Sequence, residues 1–282
     1  MKLRVEKAAS TGFCFGVKRA IDTLKKIIHE RGQVETLGAV VHNRQVMKSL
    51  ADIGVRVANS VDEIQGNTVA ISAHGVGPQL VEEIQARHIE IINFTCSFVH
   101  RAQVAARSLA KSGFFIIVYG DADHPEVRGI LDWAGGQGVA TLDVDSIATL
   151  DNLPRRVGVL SQTTQIPAHF TDFVKKLVDF ALLKDAELRI IDTICHDIRE
   201  RQQEALELAS RVDLMLVIGS RTSANTNHLA ELCTTATKTC QVETAEEIQS
   251  SWFKGQEHVG VTSGTSTAEE TINEVLAKLE SL

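Results

Sequence analysis

The chain repeats one short pattern three times, and this repeat limits its fold more than any other feature of the sequence. In each copy an apolar, strand-like run leads to a cysteine, and a run with helical spacing of apolar residues follows. The three cysteines are Cys14, Cys96 and Cys195. A polar loop lies 28 residues after each of them, and these loops contain His42, His124 and Ser223. Buried strands that alternate with helices predict an α/β fold of three pseudo-repeated lobes with parallel sheets.

The repeat predicts lobes over residues 14–95, 96–194 and 195–282. Each copy ends with the strand that leads to the next cysteine, but after the third copy only a helical run, 268–279, remains. We therefore expect the N-terminal segment 1–13, with its strand at 3–8, to complete the third sheet. This would close the three lobes into a ring with the cysteines facing a common centre.

Cys14 lies between Gly12 and Gly16, on a tight turn from strand to helix. The free N–H groups and the dipole of a helix N-terminus favour a thiolate, which is a nucleophile or a metal ligand. A single cysteine is more often a buried core residue, but three at matching positions indicate a metal site. Cys233 and Cys240 match no position of the repeat, so we interpret them as structural.

Thiolates favour zinc, copper(I) or iron–sulfur clusters. Structural zinc sites normally have four ligands at close spacing, whereas these cysteines are 82 and 99 residues apart and no CxxC occurs. Three cysteines around a 4Fe-4S cluster would leave its fourth iron open to substrate. We expect one such cluster.

Polar residues stand at the ends of the other predicted strands, where ligand loops of parallel sheets lie. Imidazoles, hydroxyls and an amide aimed together with helix N-termini suit a phosphate or diphosphate. The carboxyl of Glu126 among them is a natural proton donor, because burial and a neighbouring anion both favour its protonated form. The expected anion-binding residues are His42, His74, His124, Ser223, Asn225 and Ser266.

Composition narrows the functional class. The chain has a net charge of −7 with scattered basic residues, which argues against a nucleic-acid partner. No apolar run is long enough for a membrane span and no signal peptide is visible. Five cysteines, an odd number, predict thiols rather than disulfides. We expect a cytoplasmic protein.

Eight separated motifs, in order along essentially the whole chain, resemble those of one known family. They lie at residues 12–20, 41–43, 72–75, 95–96, 124–127, 161–164, 192–195 and 264–266. The family they resemble is LytB, the 4-hydroxy-3-methylbut-2-enyl diphosphate reductases.

The resemblance implies a trefoil of three α/β lobes around a central 4Fe-4S cluster held by Cys14, Cys96 and Cys195. It implies the last step of the non-mevalonate isoprenoid pathway, in which an allylic hydroxyl leaves as water and isopentenyl and dimethylallyl diphosphate form. The electrons would come from an external donor of the ferredoxin or flavodoxin type, and the protein would be a monomer or weak dimer.

The family also implies roles for individual residues. Glu126 would supply protons, and Thr163 would lie near the substrate hydroxyl. The diphosphate would be bound by His42, His74, His124, Ser223, Ala224, Asn225 and Ser266. Many members have a second serine or a glycine at Ala224, which offers only its backbone N–H.

Two other functions are open on the residues alone. A three-lobed iron–sulfur enzyme of the quinolinate synthase type would need carboxylate-binding groups, and no arginine stands on a repeated position. A non-enzymatic iron–sulfur redox sensor would need a partner or DNA surface rather than Glu126 and six anion-binding side chains.

Overall fold

The computed structural model describes residues 3–148 and 154–282. Within these ranges the chain forms three four-stranded sheets with parallel pairing and helices between the strands, which confirms the α/β class. No helix of the described part of the chain is both long and apolar enough to cross a membrane.

The strands of the described residues are β1 (Arg4–Lys7), β2 (Val34–Leu37), β3 (Val55–Ala58), β4 (Thr68–Ile71), β5 (Glu90–Asn93), β6 (Phe115–Tyr119), β7 (Gly138–Thr141), β8 (Arg156–Ser161), β9 (Glu187–Ile190), β10 (Leu214–Ile218), β11 (Lys238–Val242) and β12 (His258–Ser263). The α-helices are α1 (Phe15–Arg31), α2 (Arg44–Asp52), α3 (Pro78–Ala86), α4 (Ser97–Lys111), α5 (Pro125–Trp133), α6 (Val144–Ala148), α7 (Pro167–Leu183), α8 (His196–Ala209), α9 (Ala224–Thr234) and α10 (Glu269–Glu280). The strands lie side by side in the orders β3-β2-β4-β5, β7-β6-β8-β9 and β1-β12-β10-β11.

The chain divides into two compact units. The first combines the segments Met1–Glu30, Ala39–Val55 and His196–Leu282, and the second combines Arg31–Gly38 and Arg56–Cys195. The sheet with β1 lies in the first unit, and the other two lie in the second, apart from the first residue of β3. Two sheets take all their strands from residues 14–95 and 96–194, and the third combines β1 with strands of 195–282. The lobe boundaries at 14–95, 96–194 and 195–282 stay a prediction.

In the first unit, β1 lies beside β12 in parallel register, with Arg4 opposite His258 and Lys7 opposite Val261. The N-terminal strand therefore supplies the fourth strand of this sheet, as the phase of the repeat predicts. The inner strand β10 is apolar and buried at every position, as expected for a strand covered on both faces. Its alternate side chains pack against α10 on one face and against α8 and α9 on the other.

One core of the second unit lies around β6 and β8. Phe114, Ile116 and Leu160 are fully buried there against apolar side chains of α4 and α5. A smaller core, which includes Leu37 and Val69, lies under the sheet of β2 to β5. These cores fix the strand ends from which the polar loops emerge.

The helices after the three cysteines begin earlier than their apolar spacing predicts. Periodicity starts at Val17, Val99 and Ile198, whereas α1, α4 and α8 begin two residues before these positions. The first turn of each helix adjoins the polar loops, so its residues need not be apolar. As a result each cysteine lies directly at a helix N-terminus.

Candidate functional site

The three repeated cysteines occupy equivalent places in their sheets. Cys14 follows β1, Cys96 follows β5 and Cys195 follows β9, and each of these strands is at the edge of its sheet. All three side chains are partly buried, and none of them is in a disulfide. A partly exposed sulfur at a helix N-terminus is suited to react or to ligate as a thiolate.

The same backbone hydrogen bond anchors each of these cysteine turns. In every case the cysteine N–H donates to a carbonyl two residues beyond the end of the neighbouring inner strand. The bonds are Cys14 N to Thr265 O at 3.2 Å, Cys96 N to Ala73 O at 3.0 Å and Cys195 N to Thr163 O at 2.9 Å. The sequence repeat therefore corresponds to a repeated backbone hydrogen bond that holds each cysteine turn to the neighbouring strand.

The remaining two cysteines have a different environment. Cys233 lies inside α9, where burial raises the pKa of its thiol to about 12. Cys240 lies on β11 against the apolar core, and burial raises its pKa as well. Both environments disfavour a thiolate, which agrees with a structural role.

In the first unit, two of the predicted anion-binding residues, His42 and Ser223, stand just before helices. His42 precedes α2 by two residues, and burial lowers the pKa of its imidazole. Asn43, which follows it, caps α2 by accepting hydrogen bonds from the N–H groups of Gln45 and Val46, both at 3.1 Å. Ser223 caps α9 in the same way, through its Oγ and the N–H of Thr226 at 3.4 Å.

Two other residues of the first unit bury polar atoms that have no hydrogen-bond partner within the described residues. Asn225, in the first turn of α9, is 3% exposed, and neither its Oδ1 nor its Nδ2 is bonded. Ser266, after β12, has a buried Oγ that also has no hydrogen-bond partner among the described residues. Each such group costs about 1–3 kcal/mol, so their presence indicates a site that a polar ligand completes. Ala224 begins α9, where the backbone N–H has no partner inside the helix.

In the second unit, two of the predicted histidines lie together. The rings of His74 and His124 are 5.4 Å apart between centroids and pack edge to face. His124 caps α5, since its Nδ1 accepts the N–H of Glu126 at 3.2 Å. In the neutral form of the ring, this bond places the proton of His124 on Nε2.

Glu126 is the buried acid of the second unit, with only 2% of its surface exposed. Its carboxylate oxygens accept the N–H of Thr163 at 2.6 Å and the Thr163 hydroxyl at 2.8 Å. Burial raises the pKa of Glu126 to about 7, although the two bonds from Thr163 lower it. A carboxyl with this pKa can both release and regain a proton at neutral pH.

Thr163 joins two of the predicted site residues, because its carbonyl accepts the N–H of Cys195 while its other two polar groups hold Glu126. Sequence reasoning identified these three residues but not the bonds between them. It missed Arg201 on α8, which is 5% exposed. The spacing of Ile198, Arg201 and Ala205 places this arginine on the apolar face of a helix, and that signal could have revealed it.

Comparison with known proteins gives a consistent result. The chain matches the family profile described as LytB protein over residues 5–280. A protein of Dehalococcoides mccartyi (strain CBDB1) named 4-hydroxy-3-methylbut-2-enyl diphosphate reductase is 57% identical over 280 residues, which is 99% of each chain. A protein of the same name from Geotalea uraniireducens (strain Rf4) is 40% identical over 281 residues, covering 99% of this chain and 98% of its own.

Two solved structures are also similar. One is described as (E)-4-hydroxy-3-methyl-but-2-enyl diphosphate reductase, the terminal enzyme of the non-mevalonate pathway; it has a TM-score of 0.72 and 33% identity, and the match covers 99% of this chain and 100% of that one. The other is E-1-hydroxy-2-methyl-but-2-enyl-4-diphosphate reductase from Plasmodium falciparum, with a TM-score of 0.90, 24% identity and coverage of 98% and 88%. The second supports the fold alone.

Proposed function

This chain belongs to the LytB family, and we propose that it catalyses the reaction for which its relatives are named, the reduction of 4-hydroxy-3-methylbut-2-enyl diphosphate. It is thus an enzyme, a reductase of the non-mevalonate isoprenoid pathway. The structural observation that carries the proposal is Glu126, a buried carboxyl with a pKa of about 7. Reductive removal of a hydroxyl needs a proton on the leaving oxygen, and this group is able to supply it.

Enzymes of this family are iron–sulfur proteins. We propose that Cys14, Cys96 and Cys195 hold one 4Fe-4S cluster. Three thiols on equivalent turns, each at a helix N-terminus, fit the thiolate chemistry that such clusters require. When bound, the cluster supplies electrons and a Lewis-acidic iron for the allylic oxygen.

The diphosphate would be bound by neutral and polar donors rather than by a cluster of lysines or arginines. Hydrogen bonds to an anion are stronger than bonds between neutral groups. They would satisfy the buried polar atoms of Asn225 and Ser266, which have no other partner in the described structure. The full proposed set is His42, His74, His124, Ser223, the Ala224 N–H, Asn225 and Ser266.

Glu126 and Thr163 would act at the other end of the substrate. Two electrons and two protons convert the allylic alcohol into an alkene and water, giving isopentenyl or dimethylallyl diphosphate. Glu126 would protonate the leaving oxygen. The Thr163 hydroxyl, 2.8 Å from the carboxylate, would orient both this acid and the substrate hydroxyl.

The test is Glu126→Gln, which keeps the size of the side chain but cannot carry the proton. In anaerobically prepared enzyme, iron content and substrate binding should survive while turnover falls by about a hundredfold or more. Asp123→Asn is the matched control, because this exposed carboxyl on the same loop already pairs with Arg128 at 2.7 Å. Near-normal turnover of Glu126→Gln, or a comparable loss in the control, would move the proton donor elsewhere.

The ligand assignment has its own test. Replacement of Cys96 by serine should abolish iron binding, while Cys240→Ser should leave it unchanged. Equal loss in both variants would contradict the assignment.

The two alternative functions receive less support. A carboxylate-binding site of the quinolinate synthase type would need arginines on the loops at the strand ends, but the two arginines near those loops, Arg128 and Arg221, are exposed and pair with Asp123 and Glu247. A redox sensor leaves the buried carboxyl of Glu126 without a purpose. The ferredoxin- or flavodoxin-type donor, the monomer or weak dimer and the cytoplasmic location stay predictions.

A further inference from the structure

Arg201 is a buried cation in the first unit. It lies on α8 with 5% of its surface exposed. One terminal nitrogen, Nη1, donates to the carbonyl of Ser263 at 3.0 Å, whereas Nε is buried and has no hydrogen-bond partner in the described residues. Arginine is almost never fully buried unless it is paired, because removing an uncompensated charge from water is strongly unfavourable. Nearby negative charge must therefore balance this guanidinium.

Three groups of the first unit, one cysteine and two carboxyls, act on the charge of Arg201. Burial lowers the pKa of Arg201, while the charges of Cys14, Glu204 and Asp197 raise it, with Cys14 the strongest of the three. Glu204 also accepts hydrogen bonds from the N–H of Ser10 at 2.7 Å and from its hydroxyl at 3.0 Å. A proposed cluster ligand, Cys14, is thus among the groups that act on the charge of Arg201.

Hydrogen bonds tie Arg201 to the turn that carries this ligand. Ser263 accepts from Arg201 through its carbonyl and from the N–H of Gly12 through its Oγ at 2.7 Å. The Cys14 N–H is anchored on Thr265, two residues further along. The arginine and the cysteine turn are therefore held to the same strand end, and the charge has a fixed position.

From this geometry we propose that Arg201 is a positioning residue that places a fixed positive charge beside Cys14 and thereby raises the reduction potential of the cluster. The inference rests on the proposed ligation by Cys14. The potential of an iron–sulfur cluster depends on the charge and the hydrogen bonds around its sulfurs. An added electron is more stable beside a buried cation, since the interior screens charge weakly.

The experiment compares reduction potentials of anaerobic holoenzyme, titrated potentiometrically and followed by EPR. Arg201→Met should lower the reduction potential of the cluster by about 59 mV or more, which corresponds to at least a tenfold change in the one-electron equilibrium constant. Arg201→Lys keeps the positive charge, so its reduction potential should lie close to that of the wild type. Arg211→Met is the control, because this arginine is exposed and pairs with Glu6, and its potential should equal that of the wild type.

A second variant decides the question if Arg201→Met does not retain iron. Glu204→Gln removes one of the negative charges near Arg201 and should shift the potential in the positive direction. An unchanged potential in loaded Arg201→Met, or an unchanged or lower potential in Glu204→Gln, overturns the inference. A failure of the proposed cluster ligation would give a different result, because Cys14→Ser would then keep its full iron content.

Discussion

The buried carboxyl of Glu126 should make the stability of the protein depend on pH, and Glu126→Gln should remove that dependence. In the folded protein its pKa is about 7, against an ordinary value of 4.5. Between these values the unfolded chain has lost the proton and the folded chain still holds it, so the free energy of unfolding falls as the pH rises. Below pH 4.5 both states are protonated and this loss is absent.

The size of the effect follows from the difference in pKa. Each pKa unit corresponds to about 1.4 kcal/mol, so a carboxyl shifted from 4.5 to about 7 destabilises the folded protein by roughly 3 kcal/mol well above pH 7. Most of this develops between pH 5 and pH 8. Glutamine has no charge to lose; its Oε1 can accept the N–H of Thr163, and its Nε2 can donate to the Thr163 hydroxyl in place of the bond that the carboxylate accepts. The stability of Glu126→Gln relative to the wild type should therefore increase by roughly 2–3 kcal/mol over this range.

Urea unfolding followed by tryptophan fluorescence measures this difference. Trp133 lies on α5, the helix that carries Glu126, and its indole donates to the carbonyl of Val76 at 3.0 Å. A Trp252→Phe background leaves it as the single tryptophan of the chain. The exposed Glu82→Gln is the control and should add no pH dependence. A stability difference that is the same at pH 5 and pH 8 would refute the raised pKa of Glu126 and its assignment as proton donor.

Three further outcomes are expected. Asn225→Leu removes two buried polar atoms without partners, so the ligand-free protein should gain about 1–3 kcal/mol while substrate affinity falls; a loss of stability on urea unfolding would contradict this. Thr163→Val removes a bond that lowers the pKa of Glu126, so the ionisation seen in the pH–rate profile should move to higher pH, and Thr163→Ser should restore it. Gly75→Ala should cost about 1–3 kcal/mol more than Gly135→Ala. Both glycines have positive φ, but only at Gly75 would the new Cβ come within 2.5 Å of a buried side chain; equal costs in unfolding experiments would disprove this account.

Much of the fold could be predicted because the repeat is visible in the spacing of Cys14, Cys96 and Cys195. The same spacing led to the pairing of β1 with β12, which joins opposite ends of the chain. The residues that we expect to bind an anion were selected by their chemistry at predicted strand ends. Their roles came from the family resemblance, and they stay predictions.

The contacts of individual side chains with residues far along the chain could not be predicted from the sequence. Glu126 and Thr163 are 37 residues apart, and Arg201 and Ser263 are 62 apart. Spacing along a chain carries no information on which side chain meets which, and the pKa of Glu126 depends on the packing that excludes water. Arg201 was missed because its polar character conceals its place on a buried helical face.

The backbone bonds that anchor the three cysteine turns have a consequence for mutational robustness. Their acceptors are the carbonyls of Thr265, Ala73 and Thr163. Two of these residues are threonines and the third is an alanine, so the side chain is not the same in all three copies. Every amino acid has the same carbonyl, and every one except proline has the N–H that a cysteine turn donates. Each turn can thus keep its hydrogen bond while the side chain at the acceptor position changes. The three copies are therefore able to diverge in sequence, one acquiring a hydroxyl beside Glu126 and another a methyl group, without moving their cysteines.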